Sequence, residues 1–267
     1  MKRLKKYTSI MKTAMQSGMS FKFSFFMSMF VFIFPLLAMI FFWTAIYETH
    51  PSDFVISGYT FQDMVTYLLL YQFIFEISWL YVHWDIKNDI TSGRLTGFLM
   101  KPLNYPLTKI CGKLGNIFLP RFISAVIIFP LLMFLFRGNI SIRVDAFTIT
   151  FGIISTIICC ALLYIFQTCL GLVSFWLEDA APAGEFWMHF LGGFVIPLDI
   201  LPGWLQWLSS ILPFKYAVYT PVKIFMGIDQ AGVFMALAIQ LAWILVLTVL
   251  AKYLWKHGLR RYQAYGG

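Results

Sequence analysis

Charge is the scarcest property of this chain. Charged residues make up 12% of its 267 residues, against about 25% in soluble domains. A water-soluble fold with so much uninterrupted apolar sequence would aggregate, and that class is excluded. Sequence that cradles nucleotide phosphates is missing too. No G-x-x-x-x-G-K-[ST] occurs, so any nucleotide chemistry belongs to another chain. H-E-x-x-H, G-x-S-x-G and paired aspartates are absent, which leaves no constellation for catalysis and no catalytic residue to nominate. The four cysteines, Cys111, Cys159, Cys160 and Cys169, have no C-x-x-C spacing. They read as packing thiols, with no metal site or disulfide framework expected. No stretch outside the apolar runs is long enough to bury its own core, so a single membrane domain is expected.

What the chain does have is hydrophobic length. Apolar residues make up 60% of it, and the mean hydropathy is +0.78. The runs are Phe23–Tyr47, Phe61–Val82, Ile117–Phe136, Ala146–Val173 and Gly232–Ala251, with an interrupted one from Phe186 to Leu201. About 20 apolar residues cross the ~30 Å hydrocarbon layer. The first five meet that length. The first is also longer than the ~7–15 residues of a signal h-region, so it is expected to be retained as a span.

Basic residues then set orientation, because Lys and Arg collect on the cytoplasmic side. One side holds Lys2, Arg3, Lys5, Lys6, Lys12 and Lys22, then Lys87, Arg94, Lys101, Lys109 and Lys113, then Lys252, Lys256, Arg260 and Arg261. The other side holds Arg137, Arg143, Lys215 and Lys223, with Arg121 starting the third span. Both termini are therefore cytoplasmic and the number of spans is even, which makes the broken segment the fifth of six. The net charge of +8 flanks spans instead of forming a groove, so a nucleic-acid partner is not expected. The expected fold is all-α: a basic surface helix over residues 1–22, a six-span domain over 23–251, and a cytoplasmic tail over 252–267. Leu4, Tyr7, Ile10, Met11, Met15 and Met19 supply the helical spacing of the surface segment, with its lysines toward membrane lipid.

Two segments are informative. In the cytoplasmic loop 83–115, Leu95, Phe98 and Leu99 give one apolar face of a short helix that Pro102 ends. Flanked by Arg94 and Lys101, that helix suits insertion into a partner's groove. The external stretch 197–230 carries Pro197, Pro202 and Pro213 among Trp204, Trp207, Phe214 and Tyr216. Prolines and tryptophans at that depth predict a re-entrant or interfacial helical pair, and interrupted helices point to a transport pathway. The ionisable residues inside spans are Glu76, Arg121 and His189. Glu76 is a candidate cavity acid or a hydrogen-bonded structural one; His189 reads as a packing residue.

The run W-D-I-K-N-D-I-T-S-G-R-L-T-G-F-L-M-K-P-L resembles the loop after the second span of type-two ABC exporter permeases. Gly93, Leu95, Leu99, Lys101 and Pro102 stand at the matching positions. The external run is similar to that family's proline-rich segment through Pro197, Leu198, Leu201, Pro202, Trp204, Leu212, Pro213, Phe214, Tyr216, Pro221 and Gly227. The resemblance implies a permease subunit in a bacterial or archaeal cytoplasmic membrane. It pairs with a second permease, identical or related, and with two ATPase subunits that carry the ATP and Mg. Gly93, Arg94, Leu95, Phe98, Leu99, Lys101 and Pro102 would engage the ATPase. Pro197, Pro202, Trp204, Trp207, Pro213, Phe214 and Tyr216 would form the external gate. An aromatic lining favours amphipathic or hydrophobic cargo (a small molecule, lipid or peptide), since stripping water from unpaired polar groups costs about 2–7 kcal/mol each. The competing expectation is an ion-coupled carrier or channel, for which Glu76 is the one serious mid-membrane candidate.

Overall fold

A computed structural model describes the backbone of residues 2–20, 22–51, 53–141, 145–177, 180–194, 196–228 and 230–262, with side chains over 5–17 and from 33 onward within those ranges. The side chains of Lys2, Arg3, Leu4, Met19, Lys22 and Phe23 lie outside the described residues, as do Arg143 and the tail beyond Tyr262.

The described elements are helical, apart from an isolated bridge between Ile56 and Tyr59. In chain order they are α1 (Lys2–Ser20), α2 (Lys22–Glu48), α3 (Phe61–Ser78), α4 (Val82–Thr91), α5 (Leu95–Leu99) and α6 (Tyr105–Lys113). A π-helical turn, Leu114–Phe118, leads into α7 (Leu119–Leu135). Then follow α8 (Ala146–Val173), α9 (Ala180–Leu191), α10 (Gly203–Ile211), a second π turn at Lys215–Tyr219, α11 (Thr220–Phe225) and α12 (Val233–Arg261). Among the described residues, four helical stretches are long and apolar enough to cross a membrane: Phe61–Thr91, Tyr105–Leu135, Ala146–Val173 and Gln230–Arg261. Ile33–Glu48 is a shorter apolar helix.

Local chemistry explains the ends. Thr60 and Asp63 form a reciprocal capping box that starts α3, and Asp145 with Thr148 does the same for α8. Asn104 caps α6 by accepting from the Leu107 amide at 3.0 Å. Three of the long stretches extend past the apolar runs that predicted them, because amphipathic turns continue the helix at the basic end. That end carries α1, the α4–α6 loop and the last turns of α12.

The apolar run from Phe61 to Val82 is not one straight helix. α3 stops at Ser78, and Tyr81 adopts a left-handed φ of 52° before α4 resumes. A break inside an apolar environment must have its free backbone groups satisfied. Gln167 of α8 accepts from the Val82 amide at 3.0 Å, and Arg121 of α7 donates to the Trp79 carbonyl at 3.0 Å. The main core gathers on α3, where Met64, Tyr67, Leu69 and Ile74 are fully buried against α8 and the α9–α11 region.

At 12 residues, α9 spans only about 18 Å at 1.5 Å per residue, short of the ~30 Å layer. It ends where Gly193 takes a φ of 85° that L side chains rarely adopt, and the buried carbonyl there accepts the Tyr67 hydroxyl at 2.7 Å. His189 sits between the rings of Phe75, Trp79 and Phe194, its Nδ1 2.7 Å from the Glu185 carbonyl. It is held as a packing residue.

Candidate functional site

Two ends of the bundle concentrate the residues nominated from the sequence, and a polar belt lies between them. At the basic end, Gly93 turns the chain at φ 75° from α4 into α5. The lock on this turn is Asp89, buried at the end of α4. It accepts the Tyr105 hydroxyl at 2.8 Å, pairs with Lys109, and lies 3.6 Å from the Arg94 Nε. Leu95 is fully buried with Val82, Ile86, Ile90, Tyr105, Leu172 and Phe175. Phe98 meets the edge of Tyr105 at 5.4 Å and lies 5.0 Å beneath the Lys109 ammonium.

The expected apolar face therefore divides. Leu95 and half-buried Phe98 anchor the helix to its own protein, while Leu99 (47% exposed) and Met100 (82% exposed) point outward. Exposed Arg94, Lys101 and Pro102 flank that tip. α1 straps the loop in place. Lys6 donates to the Pro102 carbonyl at 2.8 Å, and the Tyr7 hydroxyl accepts from the Asn104 amide at 3.1 Å. Gly115 in the π turn lies under α1 so closely that a Cβ there would collide with the Met11 carbonyl.

At the opposite end, Asp199 gathers the stretch 197–230. Its carboxylate accepts the Tyr59 hydroxyl at 2.5 Å, the Tyr219 hydroxyl at 2.7 Å and the Lys223 ammonium at 2.9 Å. Opposing prolines shape what lies between: Pro197 and Pro213 are buried, Pro202 is exposed. α10 runs from this node toward Pro213, where Phe214 meets the edge of Phe166, deep along α8, at 5.6 Å. The chain then returns through Lys215–Tyr219 and α11 to bring Lys223 back to Asp199. Ser209 donates to the Leu191 carbonyl at 2.7 Å, and Gln240 of α12 donates to the Tyr216 carbonyl at 2.8 Å. Phe214 and Tyr216 are half-buried within the bundle, whereas Trp204 (67% exposed) and Trp207 (66% exposed) face away from it. Beside the node a cavity of about 430 Å³ is lined by Asp199, Lys215, Tyr216, Tyr219 and Lys223 among others.

Between the ends, Glu76 is 7% exposed, with Oε1 3.5 Å from the Arg121 Nε and Oε2 without a hydrogen-bond partner among the described residues. It borders a cavity of about 50 Å³ shared with Gln72 and Ser124, room for a water molecule. Fully buried His83 lies 3.5 Å from Glu185 of α9 and 3.4 Å from Gln167. Among the described residues, no group of three or more His, Cys, Asp or Glu could hold a metal ion.

Sequence reasoning nominated Glu76 but passed over Asp89, His83, Gln167, Glu185 and Asp199, the residues that tie elements together. The available signal was the cost of placing such groups beside apolar runs, which obliges each to find a partner.

A family model described as an ABC-2 family transporter protein matches residues 32–266. No curated protein matches the chain.

Proposed function

The chain belongs to the ABC-2 family of transporter proteins, and from that membership we propose that it is the permease subunit of an ATP-driven exporter. Two ATPase subunits carry ATP and Mg on separate chains, and a second permease, identical or related, completes the pathway. The basic end faces the cytoplasm, since it collects most of the lysine and arginine. The chain crosses six times, with α9 through α11 forming the interrupted fifth passage.

The observation that carries this reading is the tip of α5. Leu99 and Met100 project from a loop that Asp89 and Leu95 lock to the rest of the protein. An exposed apolar pair on a loose loop transmits nothing. Here a force on the tip is passed to α4 and α6 as one body, and their shared core includes the ends of α8 and α12. At the other end, the hairpin pinned at Asp199 serves as the external gate. Its half-buried Phe214 and Tyr216 and outward Trp204 and Trp207 favour amphipathic or hydrophobic cargo.

Replacing Leu99 and Met100 by Asp tests the proposal. Burying two carboxylates in the ATPase groove without partners costs several kcal/mol, so stimulation of the co-purified ATPase by the permease is expected to vanish. Insertion and thermal stability stay unchanged, because neither side chain is packed within the chain. Unaltered stimulation in that variant would remove α5 from coupling.

A further inference from the structure

A second cavity, of about 290 Å³, lies between α4, α6, α8 and α12, beside the core that anchors α5. Its walls are Ile86, Ile165, Leu172 and Ala251 with the aromatic rings of Tyr105, Tyr164 and Trp255. Its cations are Lys109 and Lys252. Small-molecule sites hold about 300–1,000 Å³, so this space is too small for a large ligand but suits the upper part of a hydrocarbon chain.

The depth of the cavity identifies what reaches it. At about 1.5 Å per residue, Lys252 stands about 28 Å along α12 from Val233, and Thr168 about 33 Å along α8 from Ala146. Both positions meet the boundary of a hydrocarbon layer about 30 Å thick. Tyr164 and Trp255 then sit at headgroup level, where such rings collect. The cavity opens at the level where acyl chains join their phosphates.

The charges identify the headgroup. Lys252 is exposed, and no carboxylate pairs with it among the described residues. Lys256 follows one helical turn later on the same face. Lys109, across the cavity, is committed to Asp89, which is already shared with Arg94, and no acidic residue lines the cavity among the described residues. The rim therefore carries uncompensated positive charge above an apolar interior. A zwitterionic lipid would bring its own cation against Lys252, whereas an anionic phospholipid matches both parts.

We propose that this cavity is a binding site for one anionic phospholipid of the leaflet at the basic end. Its acyl chain lies between α8 and α12, and its phosphate is held by Lys252. The site shares Lys109 with the Asp89 lock and with the Phe98 ring, so an occupying lipid bears on the anchor of α5. The inference concerns binding alone and does not depend on the transport reading.

Native mass spectrometry of the full chain tests it, after equilibration in micelles holding equal phosphatidylglycerol and phosphatidylcholine. Wild type is expected to retain one lipid, with phosphatidylglycerol favoured at least fivefold, about the factor one basic side chain contributes near an anionic surface. Lys252→Glu should abolish that preference, and Thr168→Phe, which fills the cavity, should lower retention of both lipids. Lys5→Glu on α1 controls for general charge and should change neither. Equal retention of the two lipids by wild type would overturn the proposal, as would a loss in Lys5→Glu matching that in Lys252→Glu. Millimolar inorganic phosphate is expected to leave the lipid bound; displacement by phosphate would mark a bare anion site and overturn it as well. Should Thr168→Phe not fold, Ala251→Leu fills the same space from α12.

Discussion

Arg121 holds together the broken helix on which the bundle is built, and its removal gives a quantitative test of the structure. Its contacts include a bond donated to the Trp79 carbonyl at 3.0 Å, an approach to Glu76 at 3.5 Å, and a cation–π contact 4.9 Å from the Tyr81 ring. Replacing it by Met keeps the aliphatic stem and removes all three. Breaking a buried ion pair from one side costs about 3–5 kcal/mol, because the remaining charge is uncompensated. The orphaned Trp79 carbonyl adds about 1–3 kcal/mol, less whatever water recovers. Arg121→Met should therefore lower stability by about 4 kcal/mol or more, at the upper end for single substitutions.

The double variant separates the two terms. With Glu76→Gln added to Arg121→Met, no charge is left unpaired, and the deficit should shrink to about 1–3 kcal/mol for the carbonyl alone. Glu76→Gln by itself strands the Arg121 charge in turn, but its amide oxygen can still accept from the guanidinium, so it should cost less than Arg121→Met. The assay is unfolding in detergent followed by labelling of the buried thiols of Cys159 and Cys169, with mild denaturant as the variable. A double variant as unstable as Arg121→Met alone would refute the charge argument. A wild-type response in the single variant would refute the assigned role of Arg121 in the break.

Three further outcomes are expected. Asp89→Asn removes the charge that holds Lys109 and Arg94, so limited trypsin digestion after Arg94 should accelerate severalfold while the bundle stays folded; an unchanged digestion rate would mean the loop is held by the burial of Leu95 and its neighbours alone. Gly115→Val forces a side chain into the α1 backbone, at about 1–3 kcal/mol for overpacking, and should expose Lys5, Lys6 and Lys12 to trypsin before any loss of the main core. Glu185→Leu leaves His83 without its partner on α9; on the proposed reading, ATPase assembly persists while cargo movement falls, and equal loss of both would place this contact in folding instead.

The long helices were legible because hydropathy reports length directly: Ala146–Val173 coincides with α8. The proline-marked interruption after Phe186 was legible too, but the break in the second apolar run was not. Nothing in the run through Trp79 and Tyr81 announces a break, because the groups that make it tolerable, Arg121 and Gln167, lie 42 and 85 residues away. Asp199 and Tyr59 are 140 residues apart, and no spacing rule joins them. The short helix of the loop was legible from Leu95, Phe98 and Leu99, but five residues do not define which side faces in. Burial of Leu95 by Leu172, in the last turn of α8, and by Phe175, just past its end, decides that. The tryptophans of α10 were legible as interfacial residues; their outward direction depends on Ser209, which turns the opposite side of that helix toward Leu191.

The position of the break also bears on how the two ends communicate. A continuous helix from Phe61 to Thr91 would move as one rod, carrying any displacement of the loop straight along α3. Interrupting it at Trp79–Tyr81 frees α4 from that axis and leaves it joined sideways instead. Gln167 ties it to α8 through the Val82 amide, and His83 faces Glu185 on α9. α9 in turn ends at Leu191 and Gly193, whose carbonyls are held by Ser209 of α10 and Tyr67 of α3. Packed interfaces of this kind shift between discrete arrangements instead of deforming smoothly. On the proposed reading, a push on Leu99 and Met100 reaches the hairpin through α4 and the short α9, while α3 remains the fixed wall against which both ends move.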